Sequence, residues 1–166
     1  MAISVGSKAP DFSLMCANME GAETNDFGLA TVSLSDYLGK SNVVLLFFPG
    51  VFTPPCTTEM CTMTEGLGKY KELGAQVLGI SVDSALAQKT WAASEKIGVP
   101  LLSDYEKTTV RAYDVVLPDF LGMGEGSKRA AFVIDKQGVV RYAEVTPTPP
   151  EQPDFDAIKS CLANLD

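Results

Sequence analysis

Apolar and polar positions along this chain switch between two periods, and the switches divide it into elements. Residues 43–48, Val-Val-Leu-Leu-Phe-Phe, form an unbroken apolar run, the pattern of a strand covered on both faces. Pro49 and Gly50 stop that strand, and Thr53-Pro54-Pro55 reads as a helix start with Thr53 as N-cap and Pro54 at the first helical position. Gly66 and Gly68 weaken the helical pattern, residues 70–73 resume it, and Gly74 ends it. Residues 75–82 are the next apolar strand. Ser84 then caps a helix running to about Ile97, with Leu86, Thr90, Trp91 and Ile97 on one inward face.

The flanks are less regular. Before the central strand, an alternation around residues 11–15, a polar loop over residues 16–28 and a short strand at 29–33 predict a hairpin with a long tip. Residues 35–38 form one helical turn closed by Gly39. On the C-terminal side, residues 100–103 read as a short strand, 105–113 as a helix and 117–127 as a Pro/Gly-rich loop. Strands at 130–135 and 139–145 are joined by a turn containing Gly138. The run Thr-Pro-Thr-Pro-Pro-Glu-Gln-Pro at 146–153 excludes helix and central strand, and Asp154 caps a last helix to Leu165.

This order predicts an α/β protein: one domain over residues 1–166, with a mostly parallel mixed sheet, helices on both faces and an antiparallel edge. A chain of 166 residues, 46% hydrophobic, suffices for one sizeable core. The net charge of −8, with no basic cluster, argues against nucleic acid and anionic membranes as partners. No charged-then-apolar leader and no run of spanning length appears, so a soluble, cytoplasmic protein is expected.

Histidine is absent, which removes the usual general base, the Cys-His dyad and the Cys/His zinc site together. Four scattered cysteines, Cys16, Cys56, Cys61 and Cys161, do not make a secreted disulfide framework. Reactive thiols are the better reading. Cys56 falls in the first turn of its helix and at the C-terminal end of a buried strand, where open α/β sheets place their sites. Unpaired backbone N–H groups at a helix N-terminus activate a thiol placed there.

The spacing Pro49-x-x-x-Thr53-x-x-Cys56 resembles the active-site motif of the peroxiredoxins. The resemblance covers nearly the whole chain, from Ser-Lys-Ala-Pro-Asp-Phe at residues 7–12 to the strands around Arg129 and Tyr142. The second cysteine five positions on is similar to the Q-type, bacterioferritin-comigratory branch, while the segments around Val139 and Tyr142 are similar to one-cysteine E-type members. The resemblance implies a thioredoxin-like fold with an N-terminal hairpin extension, thiol-dependent peroxidase activity and no cofactor or metal. It implies that Cys56 is the peroxidatic nucleophile, that Thr53 positions sulfur and peroxide, and that Pro49 shields the thiolate. Arg129 would stabilise the thiolate and the leaving oxygen, and Glu59 would orient Arg129.

On the same basis Cys61 would be the resolving thiol, closing an intramolecular disulfide with the Cys56 sulfenic acid. Thioredoxin or a glutaredoxin-like dithiol protein would then reduce it. The substrates implied are hydrogen peroxide and organic hydroperoxides. Two alternatives stay open: a one-cysteine cycle with an external resolving thiol, and a redox sensor or chaperone that does not turn over. Cys16 and Cys161 read as structural, and Trp91 with Phe47 and Phe48 as core. Phe52, an aromatic in the active-site loop, leaves open whether the protein is a monomer or a homodimer. Pro55 departs from the glycine common before the cysteine in Q-type proteins, no cysteine lies in residues 84–97, and the 16–28 loop is longer than in compact members.

Overall fold

The computed structural model describes residues 3–165. Its frame is a sheet of seven strands among those residues. In sequence order these are β1 (Ser13–Cys16), β2 (Ala30–Ser33), β3 (Asn42–Phe47), β4 (Ala75–Ser81), β5 (Leu101–Ser103), β8 (Ala130–Ile134) and β9 (Val140–Val145). In space they run β2-β1-β5-β4-β3-β8-β9. A separate two-stranded ribbon joins β6 (Val116–Leu117) to β7 (Gly126–Ser127). The helices are α1 (Pro54–Glu72), α2 (Ala85–Glu95), α3 (Thr108–Ala112) and α4 (Phe155–Ala163), with a 3-10 turn at Leu34–Tyr37.

The apolar run of β3 makes it the centre. All six of its residues are buried, and its side chains alternate between two cores, as the strand period of two requires. Val43, Leu45 and Phe47 face a core shared with Phe132, Val110 and Tyr113, under α3. Val44, Leu46 and Phe48 face the other, filled by Met60 and Met63 of α1, Trp91 of α2 and Ile158 of α4. The Phe48 and Trp91 rings pack at a 38° tilt, 5.4 Å between centroids.

The mixed sheet with helices on both faces is as expected, but parallel pairing is narrower than predicted. Only β3–β4 and β4–β5 are parallel, whereas β1–β2, β1–β5, β3–β8 and β8–β9 are antiparallel. The crossover helices α1 and α2 force the two parallel pairs, and the hairpins at either end need no crossover. The N-terminal hairpin is therefore part of the sheet, held on β5 by β1. Its long tip is tied down by Asn18, whose side chain donates to Val99 O at 2.9 Å and accepts from Leu101 N at 2.8 Å.

Three helical expectations are corrected. Helix α1 runs unbroken through Gly66 and Gly68, because its buried Met60, Met63 and Tyr70 outweigh a cost of about 1 kcal/mol per glycine. In α2, Leu86 and Thr90 point outward, and the buried face is Ala85, Gln88, Trp91 and Ala92. Gln88 was hidden from a purely apolar pattern, since it is buried through hydrogen bonds to Ser81 Oγ and Leu102 O. Helix α3 is shorter than 105–113 because Lys107 takes φ 63° and the Asp104 carboxylate accepts from Thr109 N and Val110 N at the helix start. The 117–127 loop begins and ends in the β6–β7 ribbon. Helix α4 opens as predicted, with Asp154 accepting from Ala157 N at 3.0 Å.

Candidate active site

Cys56 is the third residue of α1, and it is 1% exposed. The two prolines before it carry no N–H, and Thr57 N already donates to Thr53 O at 3.0 Å. The helix N-terminus thus offers the sulfur far fewer free donors than the sequence pattern suggested. A side chain supplies them instead.

That side chain is Arg129, immediately before β8. The antiparallel register of β3 and β8 pairs Phe47 with Ala130, which brings Arg129 to the end of the sheet where Pro49 and α1 begin. Arg129 is 1% exposed and distributes its donors three ways. Nη2 donates to Cys56 Sγ at 3.2 Å, Nη1 to Glu59 Oε1 at 2.6 Å and Nε to Pro149 O at 2.7 Å. A guanidinium held this way stabilises negative charge on sulfur and on an oxygen beside it.

Glu59, one turn after Cys56, is fully buried, and its Oε2 has no hydrogen-bond partner among the described residues. Burial pushes its carboxyl up to about 7, Glu144 adds to that, and Arg129 opposes it. Thr53 is the N-cap by backbone geometry, but its hydroxyl does not cap the helix. It donates to Gly50 O at 2.9 Å, which leaves the oxygen lone pairs turned to other use. Pro49 is buried and lines the same cavity as Thr53, Cys56 and Arg129, a space of about 260 Å³.

Cys61 lies five residues along the same helix, half-buried, with its sulfur 3.9 Å from Glu95 O. Burial and the nearby Glu95 and Glu65 carboxylates push its thiol up. Cys16 is buried against Asn18, and Cys161 packs on β9 with its sulfur 3.7 Å from Arg141 O. Neither joins the site. Phe52, at φ 64°, is 58% exposed beside it. Among the described residues, no group of three or more Cys, Asp or Glu side chains is placed to hold a metal ion.

The sequence pattern missed what surrounds this cluster. Residues 146–153, read only as a helix and strand breaker, form a strap over it. Pro149 accepts from Arg129, and Gln152 Nε2 donates to Pro55 O at 2.9 Å, tying the strap to the first turn of α1. Trp91 Nε1 donates to Thr57 Oγ1 at 3.2 Å from the opposite side. In the loop before α1, Val51 N donates to Asp83 Oδ2 at 3.0 Å. These partners lie 20 to 97 residues away in sequence, and no local signal marks them.

The AhpC/TSA family profile matches residues 5–143. The chain belongs to the AhpC/TSA family. It is a peroxiredoxin, a thiol-dependent peroxidase by family. It is 36% identical over 152 residues to the chloroplastic 2-cysteine peroxiredoxin of Chattonella marina var. antiqua, covering 87% of this chain and 72% of that protein. It is 38% identical over 157 residues to the chloroplastic peroxiredoxin Q of Triticum aestivum, covering 95% and 66%. The solved structure of peroxidoxin BcpB from Mycobacterium tuberculosis superimposes with a TM-score of 0.80 at 28% identity, covering 96% of both chains. The thioredoxin-like peroxiredoxin fold and the Q-type affinity follow from these similarities. The chain spans from about half to about three quarters of the length of its curated relatives.

Proposed function

We propose that this peroxiredoxin reduces hydrogen peroxide and organic hydroperoxides with Cys56 as the nucleophile. The observation that carries the reading is the Arg129 donor 3.2 Å from the Cys56 sulfur in a buried pocket. The Cys56 thiolate attacks the terminal peroxide oxygen, an S–O bond forms and the O–O bond breaks. Sulfur is oxidised to sulfenic acid, and the leaving oxygen departs as hydroxide or alkoxide and takes up a proton. Arg129 bears the charge moving from sulfur to the leaving oxygen, and Glu59 holds Arg129 in place. Thr53, its proton engaged with Gly50 O, accepts from the peroxide O–H and aligns it. Cys61 then displaces the sulfenic oxygen as water, closing the disulfide that a thioredoxin or glutaredoxin-like dithiol protein reopens.

A one-cysteine cycle is the second reading, and one observation favours it. Cys56 and Cys61 share one continuous helix. Five residues on a regular helix separate the Cα atoms by about 8.6 Å. A disulfide needs less than about 7 Å. Closure therefore requires α1 to unwind locally.

The test is Cys56→Ser, an exchange that removes the nucleophile with little change of volume. Peroxide consumption driven by a dithiol reductant should vanish while the circular dichroism spectrum is kept. Retained turnover would overturn the reading. Mass and free-thiol count of the unmodified protein after one equivalent of peroxide decide the second step, since an internal disulfide and a persistent sulfenic acid differ in both.

A further inference from the structure

The polar lining of the cavity at Cys56 is confined to Thr53, the cysteine itself and Arg129, whose Nη2 donates to the sulfur. The rest of its lining is apolar: five prolines, Pro49, Pro54, Pro55, Pro149 and Pro150, with Phe120 and Leu121. Hydrogen peroxide has no group that could contact such walls. An alkyl or aryl hydroperoxide does.

The wall is built for its place. Phe120 is seated between two glycines: a Cβ added to Gly50 would lie 2.6 Å from the Phe120 ring, and one added to Gly126 would lie 3.0 Å from Phe120 Cβ. Gly50 belongs to the active-site loop and Gly126 to the β6–β7 ribbon, so the ring locks the two together. The loop between is ordered by its own bonds. Phe120 N donates to Gly124 O at 2.8 Å, and the Asp119 carboxylate accepts from Gly122 N at 3.0 Å and Gly124 N at 3.2 Å. Leu121 follows with φ 56°, a left-handed backbone that a leucine adopts only where its surroundings impose it. It lines the cavity and is 73% exposed at the mouth. A glycine or asparagine would meet the backbone requirement more easily, so the leucine side chain itself has a use at this position.

Resting on the peroxidase reading, we infer that residues 119–126 form a specificity wall and that this site selects apolar organic hydroperoxides over hydrogen peroxide. The reacting oxygens sit at Cys56, Thr53 and Arg129, and the organic group, which leaves with the alkoxide, lies against Phe120, Leu121 and the prolines. The rate gain comes from burying the organic group in the transition state.

Single-turnover oxidation of Cys56 by hydrogen peroxide and by cumene hydroperoxide tests this in the full chain and in Leu121→Asn and Leu121→Gly, both suited to the left-handed backbone. The unmodified chain should react faster with cumene hydroperoxide. In both variants the ratio of the two second-order constants should fall roughly tenfold, the worth of one good apolar contact in a specificity pocket. A faster reaction with hydrogen peroxide in the unmodified chain, or a ratio the variants leave unchanged, overturns the inference. So does a change of sedimentation mass with equal loss on both substrates, which would make Leu121 part of a contact with a second copy. If neither peroxide oxidises Cys56 in the unmodified chain, the peroxidase reading itself fails.

Discussion

Arg129 and Cys56 are 73 residues apart in the chain and 3.2 Å apart at Nη2 and Sγ. The contact exists because β3 and β8 pair antiparallel, so that the residue entering β8 lies beside the one leaving β3. Arg129 also ends three constraints at once, from α1 through Glu59, from the strap through Pro149 and from the sulfur itself. Its position is over-determined, as an electrostatic stabiliser requires.

Arg129→Met should therefore cost more than one hydrogen bond. The peroxide step should slow by roughly 10²–10³, the worth of one preorganised donor. Stability should fall by about 3–5 kcal/mol, because Glu59 is left buried without its partner. Adding Glu59→Gln should restore much of the stability and none of the rate. Stopped-flow oxidation and denaturant melts check the two halves separately.

Glu59 makes stability depend on pH. Its carboxyl is held at about 7 in the folded protein against an ordinary 4.5, so the folded state binds its proton more tightly than the unfolded chain. The contribution is fully present below about 4.5 and is lost as pH rises to about 7. Arg129 and Glu144 are the charges that face it. Denaturant midpoints should fall across that window, and Glu59→Gln should flatten this part of the curve. An unaltered slope in the Gln variant would assign the effect to another group.

Disulfide closure should be visible at Trp91. The first two turns of α1 are pinned by Trp91 on Thr57, Gln152 on Pro55 and Arg129 on Glu59. Unwinding them to bring Cys56 to Cys61 breaks the Trp91–Thr57 bond, so tryptophan fluorescence should change on oxidation. Amide exchange should rise over residues 53–61 while 43–48 stay protected. Closure should quicken with rising pH, since Cys61 must ionise and its surroundings push its thiol up. Cys61→Ser should abolish the fluorescence change, slow recycling and favour over-oxidation of Cys56. A Ser variant recycled at the unmodified rate would transfer resolution to an external thiol.

Gln152→Ala tests the strap. Its amide holds Pro55 O, and its own Oε1 is buried with no partner among the described residues. Removing it should cost about 1 kcal/mol, the net worth of one hydrogen bond, and chiefly free the first turn. Exchange at residues 56–58 should rise and Cys56–Cys61 closure should be several-fold faster, with the first peroxide reduction little changed. Rapid-quench thiol counts separate the two steps. Slower closure would show that the strap guides the turn instead of restraining it.

Most elements of this protein, and the candidate nucleophile Cys56 at a helix start, were legible in the sequence because they depend on near neighbours. An unbroken apolar run makes β3, proline and glycine end it, and a helix that opens on Pro54 sets Cys56 in its first turn. Resemblance also named Arg129 and Glu59. What local pattern could not supply was the balance of forces at a distance. Glycines 66 and 68 fail to break α1 because Met60, Met63 and Tyr70 are buried on it, and Gln88 is core because Ser81 and Leu102 bond it. Pro54 and Pro55 strip the helix start of donors, and the donor that reaches the Cys56 sulfur is a guanidinium delivered by strand register. The ties of the strap to Arg129 and Pro55, the Trp91–Thr57 bond and the seating of Phe120 between Gly50 and Gly126 are made by tertiary packing. Such contacts join segments with no shared periodicity, and only folding the chain puts them in reach.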